Sequence, residues 1–321
     1  MNNAENFPVD AEEQRDWLLA HKSAKGLSWS RLADITGIAA GTLSGFAGEH
    51  YQGNRDNIAR LIFKFRQTLD SQAAVGLGIP DAPGYFETPT SRRLMSLLVW
   101  AHRGRMTLAA TGPGTGKTMT IAEYQASASN VWVVTMEQAS GGLNSMIMAV
   151  LRSLGVTAKG GWGAQLSQLV KDSVVGRRGL LVIDEANHLD LKALEQIRAW
   201  HDMPGGPGVC LLGNEELLMR IEGGSRRDAF GRLNSRIAQR HLQHSPVEGD
   251  VEAFCDAWNV RDDGMRAMLK RIALTPASGG LRECQQLIEQ ASMLAMEDDQ
   301  PLSLAALRDA QSTRATRYIR T

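Results

Sequence analysis

No excess of charge, no even set of cysteines and no long apolar run mark this chain. Thirty-five basic and 35 acidic side chains cancel over 321 residues, so attraction to a polyanion has to come from local patches and not from a global field. The three cysteines, Cys210, Cys255 and Cys284, are odd in number and widely spaced. That argues against a disulfide framework or a zinc cluster and fits buried thiols in a reducing compartment. No apolar stretch approaches the ~18 residues of a membrane span, and Met1 to Asp10 is polar and acidic where a secretion signal would be apolar. A cytoplasmic protein without a membrane partner is expected. Hydrophobic residues make up 43% of the chain, enough for two or three packed domains.

Residues 1–70 read as short helices. Ser71 to Thr90 carries three prolines, three glycines and two charges, and reads as a linker. From Arg92 onward apolar runs at Met106–Ala110, Val131–Thr135, Leu180–Asp184 and Val209–Gly213 alternate with helical patterns such as Leu143–Leu154 and Leu191–Trp200. Such alternation predicts an α/β fold with a parallel sheet covered on both faces, over residues 91–246. Beyond Pro246 no strand run remains. The segments Val251–Trp258, Gly264–Leu274, Leu281–Met296 and Leu304–Thr313 predict a closing helical domain, 247–321.

The run Met106 to Ala110 ends in Thr111-Gly-Pro-Gly-Thr-Gly-Lys-Thr118. Glycines let successive backbone N–H groups converge on phosphate oxygens, and the next helix brings its positive dipole end to the same place. Thr111, Gly112, Pro113, Gly114, Thr115, Gly116, Lys117, Thr118 and Met119 are the candidate nucleotide-binding residues; Lys117 would reach the β/γ-phosphates of ATP and Thr118 would hold Mg²⁺. Thr111 stands where the usual pattern has its first glycine. Downstream, Leu180-Leu-Val-Ile ends in Asp184-Glu185, at the strand end where open parallel sheets bind ligands. Asp184 would complete the Mg²⁺ shell and Glu185 would polarise the attacking water.

Three further positions are candidates with plainer alternatives. Asn214 at the tip of Val209–Gly213 could orient water or serve only as a helix N-cap. Arg226 to Arg240 holds five arginines against one aspartate, a solvated face or the source of an arginine for a neighbouring subunit's γ-phosphate. Arg282 sits early in a helix, where the dipole disfavours it unless a phosphate is near.

Taken in order, these motifs resemble those of the AAA+ ATPases, from about Thr90 to the end. The resemblance implies a P-loop core with Thr111–Thr118 as Walker A, Asp184 and Glu185 as Walker B and Asn214 as sensor 1. It also implies a C-terminal helical lid in which Arg282 is the sensor 2 arginine. Arg236 of Ser235-Arg236 is then the preferred arginine finger and Arg232 the alternative.

Near the N-terminus, Leu27 to Phe46 places Leu32, Ala33 and Ile35 on one helix, a turn at Gly37, and Ile38, Leu43 and Phe46 at helical spacing. This resembles a phage-repressor helix-turn-helix, or else a plain packing unit. Its second helix would offer Ala39, Ala40, Gly41, Thr42 and Ser44 to the groove, without the long side chains that read bases bidentately. Between Gln14 and Leu69 eight basic residues face four acidic ones, Glu49 among the latter. Arg31, Thr42, Ser44, Arg55, Arg60 and Lys64 are the candidate contacts to double-stranded DNA, made to phosphates with little base choice. Arg314, Arg317 and Arg320 extend that possibility to the tail.

A helix-turn-helix, a linker and a compact AAA+ module, with the segment Phe86-Glu-Thr-Pro-Thr-Ser-Arg-Arg before the Walker A strand, together resemble the transposition B proteins of Mu and its relatives. That resemblance implies an ATPase of the bacterial host cell that assembles on target DNA as oligomers or filaments and activates a transposase. Two rivals are a nucleotide-switched, sequence-specific regulator and a loader- or secretion-type ATPase whose partner is a protein.

Overall fold

The computed structural model describes residues 9–48, 51–76, 80–158, 160–223 and 227–314, without the side chains of 72–76 and 227–229. Glu49, Arg226, Arg317 and Arg320 lie outside the described residues, as does the side chain of Arg227. The chain divides into two compact units, 1–80 and 81–321.

The first unit is all helical, with α1 (Ala11–Ala24), α2 (Trp29–Thr36), α3 (Ala40–Ala47) and α4 (Arg55–Gly76). Ser28 starts α2 by accepting the Arg31 N–H, and Gly37 ends it at φ 70°, a conformation open to glycine. Leu18, Leu32, Ile38, Leu43, Phe46 and Ile62 form the core. Ile35 departs from the expected inward face and is 42% exposed, because Leu32 and Thr36 take the inner positions one turn apart, Thr36 Oγ1 bonding the Leu32 carbonyl at 2.7 Å. Helix α4 continues to Gly76, six residues into the stretch read as a linker, since Ser71-Gln-Ala-Ala contains good helix formers and no proline.

In the second unit α5 (Pro89–His102) opens with a reciprocal Thr88–Ser91 capping box and proline in its first turn. There follow β1 (Met106–Thr111), α6 (Lys117–Ser127), β2 (Val131–Thr135), α7 (Leu143–Ser153), α8 (Gly163–Val174), β3 (Leu180–Asp184) and α9 (Leu191–Asp202). Next come β4 (Gly208–Gly213), α10 (Glu215–Glu222), α11 (Arg227–Asn234) and β5 (Ile237–Gln243). The strands pair in parallel in the order β2-β3-β4-β1-β5. Side-chain alternation divides the core between the two faces. Leu108, Ala110, Leu181 and Ile183 pack with α7 to α10, whereas Ala109, Leu180 and Val182 pack with α5 and α6.

Strand β5 was not legible as a strand: only Ile237 is buried, Ala238 and Gln239 are exposed at the sheet edge, and Arg240 folds back onto Glu222 and Asn234.

The chain closes with α12 (Glu248–Ala257), α13 (Asp263–Leu274), α14 (Leu281–Glu297) and α15 (Leu304–Arg314) around Phe254, Leu269, Leu287, Ile288 and Leu307. At the start of this bundle Asp250 is fully buried without a cation. Its carboxylate accepts from Thr90 N at 2.8 Å, Thr90 Oγ1 at 2.5 Å and Val247 N at 2.8 Å. Gln243, at the end of β5, joins by donating to Thr90 Oγ1 at 2.7 Å. One carboxylate therefore ties the last strand, the start of α5 and the first lid helix together.

Candidate active site

The loop from Thr111 to Thr118 turns from the buried end of β1 into α6, with Gly114 and Gly116 at φ 67° and 88°. Thr111 fits where glycine was expected because it is the last strand residue, with no left-handed φ, and its Oγ1 meets Thr115 Oγ1 at 2.9 Å inside the loop. Lys117 Nζ bends back onto the carbonyls of Thr111, at 2.8 Å, and Gly112, at 3.3 Å, with no carboxylate in direct contact. Burial pulls the Lys117 pKa below the ordinary lysine value; Glu185 and Asp184 push it back up and the charge of Arg282 lowers it further.

Asp184 ends β3, 5% exposed, accepting the Glu185 N–H at 3.0 Å. Burial raises its pKa first of all; that hydrogen bond and the Lys117 charge oppose the rise, and the Glu185 charge adds to it. Glu185 itself adopts φ 53°, ψ 39°, a left-handed conformation that costs a non-glycine residue about 1–3 kcal/mol. It aims the carboxylate into the cavity.

That cavity, of about 490 Å³, is lined by Thr111, Pro113 to Thr120, Glu185, Asn214 and Arg282. Asn214 stands at the N-cap position of α10, but its side chain makes no capping bond and is left to face the cavity. Arg282 is the second residue of α14, and Leu281 N donates to the Gly114 carbonyl at 3.0 Å, which seats this lid helix on the loop. A side chain on Gly114 would strike the Gly279 carbonyl, so the close approach requires glycine there.

Arg236 and Arg232 are not among the residues that line this cavity. Arg236 is half exposed and holds Asp202 at 2.7 Å, and Arg232 is exposed on α11.

The far wall could not be read from the sequence. Ala82 to Phe86, within the stretch read as a linker, meets Phe254, Trp258 and Gln285 of the lid. Phe86 packs edge-on to Phe254, centroids 6.2 Å apart. A flat apolar cleft of this kind, continuous with a phosphate cradle, has the shape and chemistry to take a nucleobase.

Two more residues support Glu185 from behind. Asn187, nearly buried, accepts the Asn214 N–H at 3.3 Å, and Arg220 on α10 donates to the carbonyls of Asn187, at 2.5 Å, and Leu189, at 2.7 Å. The loop after Glu185 is thereby fastened to the helix that follows Asn214.

Of the DNA candidates, Arg31, Arg60 and Lys64 are exposed, the last two one turn apart on α4. Thr42 and Ser44 are half-buried on α3, with Ser44 turned onto the Gly41 carbonyl, and Arg55 lies over the Phe46 ring at 5.3 Å.

Residues 101–221 match the AAA domain family, and residues 235–313 match the C-terminal part of the Mu B transposition protein. A Mu-like prophage FluMu DNA transposition protein B of Haemophilus influenzae is 32% identical over 83% of this chain and 91% of its own length. The ATP-dependent target DNA activator B of Escherichia phage Mu is 27% identical over 88% of this chain and 89% of its own. Among solved structures, a chain of Drosophila ORC bound to DNA superposes with TM-score 0.53 at 14% identity, over 76% of this chain and 66% of that one, a likeness of fold. The fold is that of the AAA+ proteins, and the chain is an ATPase. It belongs to the transposition protein B family of Mu-like phages and prophages.

Proposed function

We propose that this ATPase binds double-stranded DNA with little sequence preference when charged with ATP, assembles along it, and activates a transposase at the covered site. The observation that carries this reading is a cavity at the Lys117 loop whose lining includes neither Arg232 nor Arg236, while Arg236 pairs with Asp202 on the same chain. A neighbouring copy supplies that arginine, so nucleotide and assembly depend on each other. The names of the relatives point the same way, since two are ATP-dependent target DNA activators.

The residues divide the work. Backbone N–H groups of 114–118 cradle the phosphates, and Lys117 leaves its two carbonyls for phosphate oxygens. Thr118 and Asp184 would hold Mg²⁺, which when bound neutralises charge on the phosphates. Glu185 accepts the proton of the attacking water, Asn214 orients that water, and Arg282 closes the lid on the phosphate charge. In the first unit, Arg31, Arg55, Arg60 and Lys64 contact DNA phosphates, with Thr42 and Ser44 in support. The small, self-engaged side chains of α3 disfavour an operator-reading regulator.

The test compares the parent with Lys117→Ala for binding to random-sequence duplex with and without ATP. ATP should tighten binding of the parent alone; equal binding by both proteins in ATP would contradict the reading.

A further inference from the structure

The end of the sheet away from the Lys117 loop carries arginines that the site does not use. In a parallel sheet all strands enter from one end, and the turns entering β1 and β3 read Arg103-Gly-Arg105 and Arg177-Arg178-Gly179. All four arginines are exposed, and among the described residues none has an ion pair or a side-chain hydrogen bond. Across residues 88–106 and 173–183 there is no carboxylate.

These turns form one platform. Arg105 O accepts from Val209 N at 3.0 Å, Gly179 O accepts from Gly208 N at 2.9 Å, and the His102 ring reaches the backbone of Arg178. Asn130 Nδ2 holds the Arg177 carbonyl at 3.1 Å from the entry to β2. Glycines at 104 and 176, with φ of 83° and 76°, make both turns tight, so the guanidinium groups rise from a fixed base.

Four unpaired guanidinium groups on a chain of zero net charge are a segregated patch, and such a patch is retained at the expense of self-repulsion. Planar, permanently charged forks match phosphate oxygens, and the neighbouring amide of Asn130 is engaged with the Arg177 carbonyl.

We propose that Arg103, Arg105, Arg177 and Arg178 form a second contact surface for the phosphate backbone of duplex DNA, on the ATPase unit itself and across the sheet from the nucleotide. The proposal rests on the DNA-binding reading above and adds where a share of the affinity resides.

The experiment measures binding of random-sequence duplex, with ATP, over a range of salt concentrations, for the full chain and for a variant with all four arginines changed to glutamine. Each phosphate contact contributes about 0.9 to the slope of log K against log salt, so the variant, with four contacts removed, should lose about 3.6 units of slope and bind weakly at every salt concentration. A parent that leaves the duplex free contradicts the function proposed above. A parent that binds, with a variant that matches it in affinity and slope, overturns the surface alone. If that variant instead loses binding to polyglutamate, the patch belongs to an acidic protein segment and the proposal is equally overturned. Hydrogen exchange on the unmodified chain provides a reading free of folding effects. DNA should protect the turns at 102–106 and 175–179, and their unchanged exchange in a formed complex would contradict the surface.

Discussion

Asp184 shows function and stability pulling in opposite directions on a single side chain. Its pKa is raised in the folded chain, so the folded state holds that proton more tightly than the unfolded state does. The stabilising contribution is complete below the unfolded value of 3.8 and is lost as pH rises through the raised folded value. Above that raised value the buried carboxylate is ionised at a net penalty. Asp184→Asn should raise the melting temperature at pH 7, with the gain shrinking as pH approaches 4, while ATP hydrolysis falls by about 100-fold. A lower melting temperature at pH 7, or a gain independent of pH, would contradict this. Lys117 is shifted in the complementary sense: burial lowers its pKa, and its Nζ is held on the Thr111 carbonyl.

Element by element, the strand, loop and helix around Lys117 were legible because all three follow one another within thirteen residues, and the same holds for β3 with Asp184-Glu185. The base cleft was not legible, since Phe86 and Trp258 come together only through folding and the first lay in a proline-rich stretch that reads as linker. Arg220 left no signal either, because its partners are backbone carbonyls. Its fork fixes the loop that presents Glu185, so Arg220→Met should lower kcat for ATP about 10- to 100-fold and leave KM within about twofold, with partial recovery in Arg220→Lys. A change confined to KM would assign Arg220 to binding instead. At the start of the helical bundle, Asp250→Ala strands two buried donors of Thr90 and the part-buried Val247 N–H and should cost about 2–3 kcal/mol in denaturant unfolding. A loss below about 0.5 kcal/mol would mean that this junction is held by apolar packing alone.

At the scale of the whole molecule, Arg236 does not line the cavity around Lys117 and is held by Asp202 instead. If Arg236 works on a neighbour, Arg236→Ala and Lys117→Ala should each be inactive alone yet recover a measurable part of ATP hydrolysis when mixed, through the one pocket per pair that is intact. Absence of recovery would place the finger elsewhere. Assembly is expected only through family resemblance, because nothing in composition or periodicity marks a surface that meets its own copy. Electron microscopy of the protein on random-sequence duplex, with and without ATP, tests the coupling of nucleotide, assembly and DNA most directly. Filaments on DNA only in the presence of ATP are the expected result; filaments in equal number without nucleotide, or bare DNA in both conditions, would contradict it.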